Sequence, residues 1–158
     1  MSNSDISIEN LRTSIEEAFT NVEPPDSDKV IEHDCPECRA VRRVFRHELW
    51  RSLKSEKIDW GHDKLPLFTP HAFQYFLPAF MLYSLDDPSS TVCELLVYSL
   101  IVPKENDDWW QKRLDKFTRN QKAACGLFLR WIQHQPKYAS DSDDIEEAMA
   151  QWWQIESG

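Results

Sequence analysis

The sequence predicts an all-α fold, a compact irregular bundle of five to six helices around a central, hydrophobic, proline-kinked helix. Apolar residues return every three or four positions through most of the chain, as they do in helices that bury one face. One segment, "TPHAFQYFLPAFMLYSL" at 69–85, is apolar or aromatic at nearly every position, which places it inside the domain. The most strand-like stretch, "VYSLIV" at 97–102, stands alone, and a lone strand has nothing to pair with. At 158 residues the chain reads as a single helical domain, 1–158.

The first helix is expected over 5–20, with Ile8, Leu11, Ile15, Ala18 and Phe19 in one stripe, until "NVEPPDSDK" ends it and opens a loop over 21–34. The second is expected over 35–53: Asp34 caps it, Pro36 fits its first turn, and Glu37 completes a capping box, with Val41, Val44, Phe45, Leu49 and Leu53 facing inward. A loop over 54–68 follows, in which Ile58, Trp60, Leu65 and Leu67 can pack down as a lid. Thr69 and Pro70 start the central helix. Pro78 then removes the amide partner of the Gln74 carbonyl, so a kink there should steer Phe80, Leu82 and Leu85 into the core.

After "DDPSS" a fourth helix begins near Thr91, carries Val92, Leu95, Leu96, Ser99 and Leu100, and stops at Pro103. A brief helical turn is expected at Trp109 and Trp110. Thr118 caps the fifth helix, whose stripe is Ala124, Leu127, Phe128, Trp131 and Ile132, and Pro136 closes it. A connector over 136–141 leads to the sixth, which starts among Asp141 to Asp144 and buries Ile145, Met149, Trp152 and Trp153. Six acidic residues and no Lys or Arg follow Tyr138, so the outer face of this helix should be strongly negative.

A formal charge of −9 opposes a general nucleic-acid binder, which needs Lys and Arg for the phosphates, and suits a domain that docks on a basic partner. Three glycines disfavour folds built on glycine-rich nucleotide loops. The longest apolar window, 73–85, falls short of the roughly 17–25 residues that span a bilayer. The opening "MSNSDISIENLR" lacks the charged start and apolar run of a secretory leader, so a cytoplasmic location is expected. Four cysteines are then reduced thiols or metal ligands, and Cys93 and Cys125, inside helical patterns, read as small core residues.

Chemistry concentrates in "HDCPECRAVRRVF" at 33–45, which supports three readings. As a metal site, His33, Cys35 and Cys38 offer zinc a soft ligand set, with His62 the best fourth ligand. His47 ranks behind it, nine residues beyond Cys38 and so about 13 Å along an unbroken helix. Such an ion would be structural. As a redox pair, Cys35 and Cys38 lie one turn apart at a helix start that stabilises thiolates, although no strand precedes them. In the third reading the pair packs beneath the second helix, and His33 makes a loop hydrogen bond.

Arg39, Arg42, Arg43 and Arg46 form a basic face that either grips phosphate or carboxylate or neutralises the acidic first and sixth helices. Neighbouring residues on a helix point about 100 degrees apart, so Trp109/Trp110 and Trp152/Trp153 cannot both fit one narrow stripe. One ring of each pair at an edge would make all four candidates for an interface. No catalytic constellation is evident, and His71 is the best isolated acid/base candidate.

The Cys-Pro-Glu-Cys region, "VF" and "LW" after it, and "LPLFTPHAFQYFLPAFMLYSL" resemble a small uncharacterised bacterial domain family with a TP-x-AF-x-YFLPA helix. The resemblance covers about residues 10–135 and rests on Cys35, Glu37, Cys38 and on Thr69, Pro70, Ala72, Phe73 and Tyr75 through Ala79. It implies a shared helical core in a bacterial or phage-related soluble protein, with no activity, substrate or cofactor. From the acidic charge and the placement of the tryptophans, the expected function is a protein-binding or regulatory role, of inhibitor or immunity type, toward a basic protein partner. The alternative is a zinc-dependent, hydrolytic enzyme built on His33, Cys35 and Cys38, and a thiol regulator is the third option.

Overall fold

The segment "PHAFQYFLPAFMLYSLD" folds as the central helix, α4 (Pro70–Asp86), with twelve of its seventeen residues buried. Thr69 starts it by accepting the Ala72 amide on its side chain, and Pro78 sits inside without ending it. The computed structural model describes residues 7–101 and 107–153. Around α4 lie α1 (Ile8–Ala18), α2 (Pro36–Phe45), α3 (Ser55–Trp60), α5 (Thr91–Leu100), α6 (Asp107–Leu114), α7 (Arg119–Gln133) and α8 (Ser142–Gln151). Short 3₁₀ turns occupy Trp50–Ser52, Leu65–Leu67 and Pro136–Asp141. Among the described residues there is no sheet; Ile31 and Phe68 make one isolated antiparallel bridge.

Helices α1, α3, α5 and α6 pack directly on α4, while α7 lies against α1 and α8 against α7. Two groups of rings fill the interior. Phe45 meets Phe68, Phe76 and Phe80 with centroids 5.1, 5.3 and 6.4 Å away. Phe73, Trp110, Phe117 and Trp153 pack edge to face or tilted at 5.5 to 6.2 Å, joining α4, α6 and α8. Such pairs add about 0.5–1.5 kcal/mol each to the area they bury. Cys93 and Cys125 are fully buried and act as core residues.

A buried amide network ties three helices together. Gln121 Nε2 donates to the Ala18 carbonyl at 3.1 Å, and Gln74 Nε2 donates to Gln121 Oε1 at 2.9 Å and to the Lys116 carbonyl at 2.7 Å. The same Gln121 closes a capping box with Thr118 at the start of α7. A second tether holds the 21–34 loop onto α4: the Thr69 hydroxyl donates to the Lys29 carbonyl at 2.8 Å and the Thr69 amide to the Val30 carbonyl at 3.0 Å.

The chain departs from its sequence-based expectation chiefly between α2 and α4. Helix α2 ends at Phe45, not at 53, because Arg46 is extended and His47 takes φ 66°, a left-handed turn that His tolerates better than bulkier residues. The turn lets Trp50 enter the core separately, where its amide donates to the Tyr75 hydroxyl at 3.2 Å. Leu49 consequently faces solvent, and so does Ile8 in α1. The expected 54–68 loop contains α3 and a 3₁₀ turn, and the expected 136–141 connector is a 3₁₀ turn. The single turn foreseen at Trp109 and Trp110 is the eight-residue α6. Asp34 does not cap α2; Cys35 does.

Candidate functional site

At the start of α2, Cys35 is the N-cap and its Sγ accepts the Cys38 amide at 3.1 Å. Pro36 stands at the first helical position, where its missing N–H costs no hydrogen bond. Cys35 is exposed, whereas Cys38 is 1% exposed and packs into the core. The Cys38 side chain first, and then its backbone N–H, hold Cys35 below the ordinary thiol range. The Cys35 side chain, followed by burial, pushes Cys38 up. Glu37 turns aside to Lys64 Nζ at 3.0 Å, and Arg39 pairs with Asp34 at 3.5 Å.

The expected zinc site does not assemble. Among the described residues no group of three or more His, Cys, Asp or Glu can hold a metal ion. His33 lies exposed on the loop, Cys35 serves its own helix end, and Cys38 is buried beneath it. His62, the expected fourth ligand, hydrogen-bonds through Nδ1 with the Asp59 carbonyl at 2.8 Å and lines a different hollow. The structural zinc ion and the zinc-enzyme reading built on these residues both lose their ligand set. His71, the acid/base candidate, uses Nε2 to hold the Glu23 carbonyl at 2.7 Å, so that nitrogen carries the proton and serves as a tether.

That tether borders an acidic cleft of about 800 Å³. Glu23, Asp26, Asp28 and Glu32 line it from the 21–34 loop, with His71 at the start of α4 and Lys116 opposite. All four carboxylate residues are exposed; Lys29 lies 3.7 Å from Asp26, Lys116 shares the lining, and Glu32 interacts with the Arg113 guanidinium. Beside the next turn of α4 lies a smaller apolar hollow of about 320 Å³, with Phe73, Leu95, Tyr98 and Trp109 among its walls. Tyr98 is 49% exposed, so this wall faces solvent.

Arg113 stands where α4 and α6 meet. Its guanidinium lies 3.8 Å from the centroid of the Trp109 ring and donates to the Trp109 and Phe68 carbonyls. Burial lowers it to about 10, with Glu32 opposing, and it stays charged at neutral pH. The four candidate tryptophans divide: Trp110 and Trp153 are buried, Trp153 donating from Nε1 to the Leu100 carbonyl at 2.8 Å, whereas Trp109 and Trp152 are half-buried.

The basic face of α2 does not neutralise α1 and α8. Arg39 pairs with Asp34, and Arg43 and Arg46 make no ion pair among the described residues. Instead Arg12 and Arg51 pair with Asp86 and Glu16, and Arg130 of α7 meets Glu146 of α8 at 2.9 Å. The acidic surface of α8 is thus partly neutralised from within, as Asp26 of the cleft is by Lys29. Sequence reasoning missed the cleft and Arg113. Four carboxylates within ten residues, one before and three after a pair of prolines, were its one local signal.

No helix among the described residues is long and apolar enough to cross a membrane. A model described as a family of unknown function, DUF6714, matches residues 8–157, so the match extends past residue 135 and takes in the acidic α8. No curated protein and no solved structure matches the chain.

Proposed function

Because the chain belongs to DUF6714, a family of unknown function, we propose a role from its own surface: a protein-binding domain that presents an acidic cleft to a basic partner. The observation that carries this reading is the cleft itself, a concave surface on which the exposed Glu23, Asp26, Asp28 and Glu32 converge, four carboxylates against Lys29 and Lys116 in the same lining. Its potential attracts a Lys- or Arg-rich surface and speeds encounter. The neighbouring hollow offers such a partner an apolar anchor point between Tyr98 and the half-buried Trp109. Trp152 provides a further aromatic edge. By covering a basic surface on its target, the domain works as an inhibitor or immunity-type protein does.

Binding of a lysine-rich polypeptide, polylysine, tests this. Replacing Asp26 and Asp28 by Asn and Glu32 by Gln removes three exposed charges. At about 0.2–1 kcal/mol each, or about 0.6–3 kcal/mol together, affinity should fall roughly three- to 150-fold and lose much of its salt dependence. The matched control neutralises Asp143, Asp144 and Glu147 on α8. Equal losses from both sets, or no loss from the cleft set, would reject the cleft as the docking surface.

A further inference from the structure

The docking reading leaves Cys35 and Cys38 without a role. We propose that they form a thiol–disulfide exchange site, in which Cys35 attacks a disulfide-bearing substrate and Cys38 resolves the intermediate. Four observations converge on this. The two cysteines meet at the first turn of α2, where the Cys35 sulfur caps the helix 3.1 Å from the Cys38 amide. Their environments are opposite, Cys35 exposed and Cys38 1% exposed, so an incoming disulfide meets Cys35 first. Free amides of α2 point at the exposed sulfur, which stabilises it as a thiolate, the form that attacks. Cys93 and Cys125 are buried on other helices and do not compete.

The chemistry balances with the substrate disulfide as oxidant. The Cys35 thiolate attacks one sulfur of R–S–S–R′, forming the Cys35–S–S–R bond and expelling R′S⁻, which takes a proton from solvent. Cys38 then gives up its proton and attacks the Cys35 sulfur, forming the internal disulfide and expelling RS⁻. Two protein thiols are oxidised, one substrate disulfide is reduced to two thiols, and a thiol reductant runs the sequence backward. A disulfide needs Cβ atoms about 3.5–4.5 Å apart. Cys35 is the extended N-cap just outside α2, so its side chain can adjust toward Cys38 without unwinding the helix. Oxidation also removes the thiolate that the amides stabilise, so the couple shifts toward the oxidising side.

The test uses the full reduced chain, incubated in parallel with oxidised glutathione and with insulin as a protein disulfide, and read by intact mass and peptide mapping. With oxidised glutathione the wild type should lose two hydrogens, keep no adduct and show a Cys35–Cys38 link. Cys38→Ala and Cys38→Ser should each accumulate one glutathionyl group on Cys35; the two variants together separate lost packing from lost resolution. Cys35→Ser, which keeps a capping oxygen, should leave Cys38 unmodified over the same time. Reduction of insulin as well would assign protein disulfides as substrates, and exchange with glutathione alone would assign small disulfides. Retention of both thiols with both reagents, or no adduct at Cys35 in both Cys38 variants, would overturn the proposal.

Discussion

Gly61 follows α3, and a methyl group added there would lie 2.7 Å from Phe45 Cζ and 3.2 Å from Cε2. Ordinary carbon contacts sit at about 3.5–4.0 Å, so Gly61→Ala needs roughly 1 Å of movement. Phe45 has no space to yield, being fully buried against Phe68 at 5.1 Å and Phe76 at 5.3 Å. Overpacking of this kind costs about 1–3 kcal/mol. The backbone raises no objection, since φ at Gly61 is −86°, and fewer unfolded conformations return about 0.4–1 kcal/mol. The net expectation is a loss of about 1–2 kcal/mol, or about 2–8 °C in melting temperature for a chain of this size. Urea and thermal unfolding of Gly61→Ala measure it directly. In the background of Phe45→Leu, which vacates the clashing ring edge, the same change should cost at least about 0.5 kcal/mol less. A neutral or stabilising Gly61→Ala, or equal costs in both backgrounds, would refute the packing described for this corner.

Two further perturbations probe the joints that hold the site. Gln121→Ala removes the capping partner of Thr118 and leaves the Ala18 carbonyl without the Gln121 amide, so denaturant unfolding should show a loss of about 2–3 kcal/mol. In reduced protein, iodoacetamide should modify Cys35 alone, with a half-maximal pH below that of an ordinary thiol, while Cys38 reacts only on unfolding. The direction follows from the Cys38 thiol and amide at the Cys35 sulfur, set among His33, Asp34, Glu37, Arg39 and Lys64; Cys38→Ala should move the half-maximal pH upward.

Local signals recover much of this fold. A segment apolar on every side had to be central, and α4 is; Thr69 and Thr118 announce the helices they cap. The end of α2 was not legible, because neither Gly nor Pro marks it. The break answers a distant partner, the Tyr75 hydroxyl that receives the Trp50 amide. Helix α3 spans too few residues to show a period, with Ile58 its one buried residue. For the tryptophans, the angle between neighbours limits how many rings one stripe accepts, but whether Trp109 or Trp110 turns inward depends on Phe73 and Trp153, both remote in sequence. The zinc expectation failed for the same reason. His33, Cys35 and Cys38 are close in sequence, yet the fourth ligand is a tertiary matter, and His62 faces the hollow beside Tyr98. The asymmetry of the two thiols, one on the surface and one in the core, likewise became visible only once α2 was packed.

The most direct measurement of the docking account is a hydrogen-exchange footprint of the chain with and without polylysine at low salt. Protection should concentrate on 23–32 and on the first turn of α4, and should vanish when Asp26, Asp28 and Glu32 are neutralised together. Protection centred on α8, or none in the 23–32 loop while the probe is bound, would contradict it.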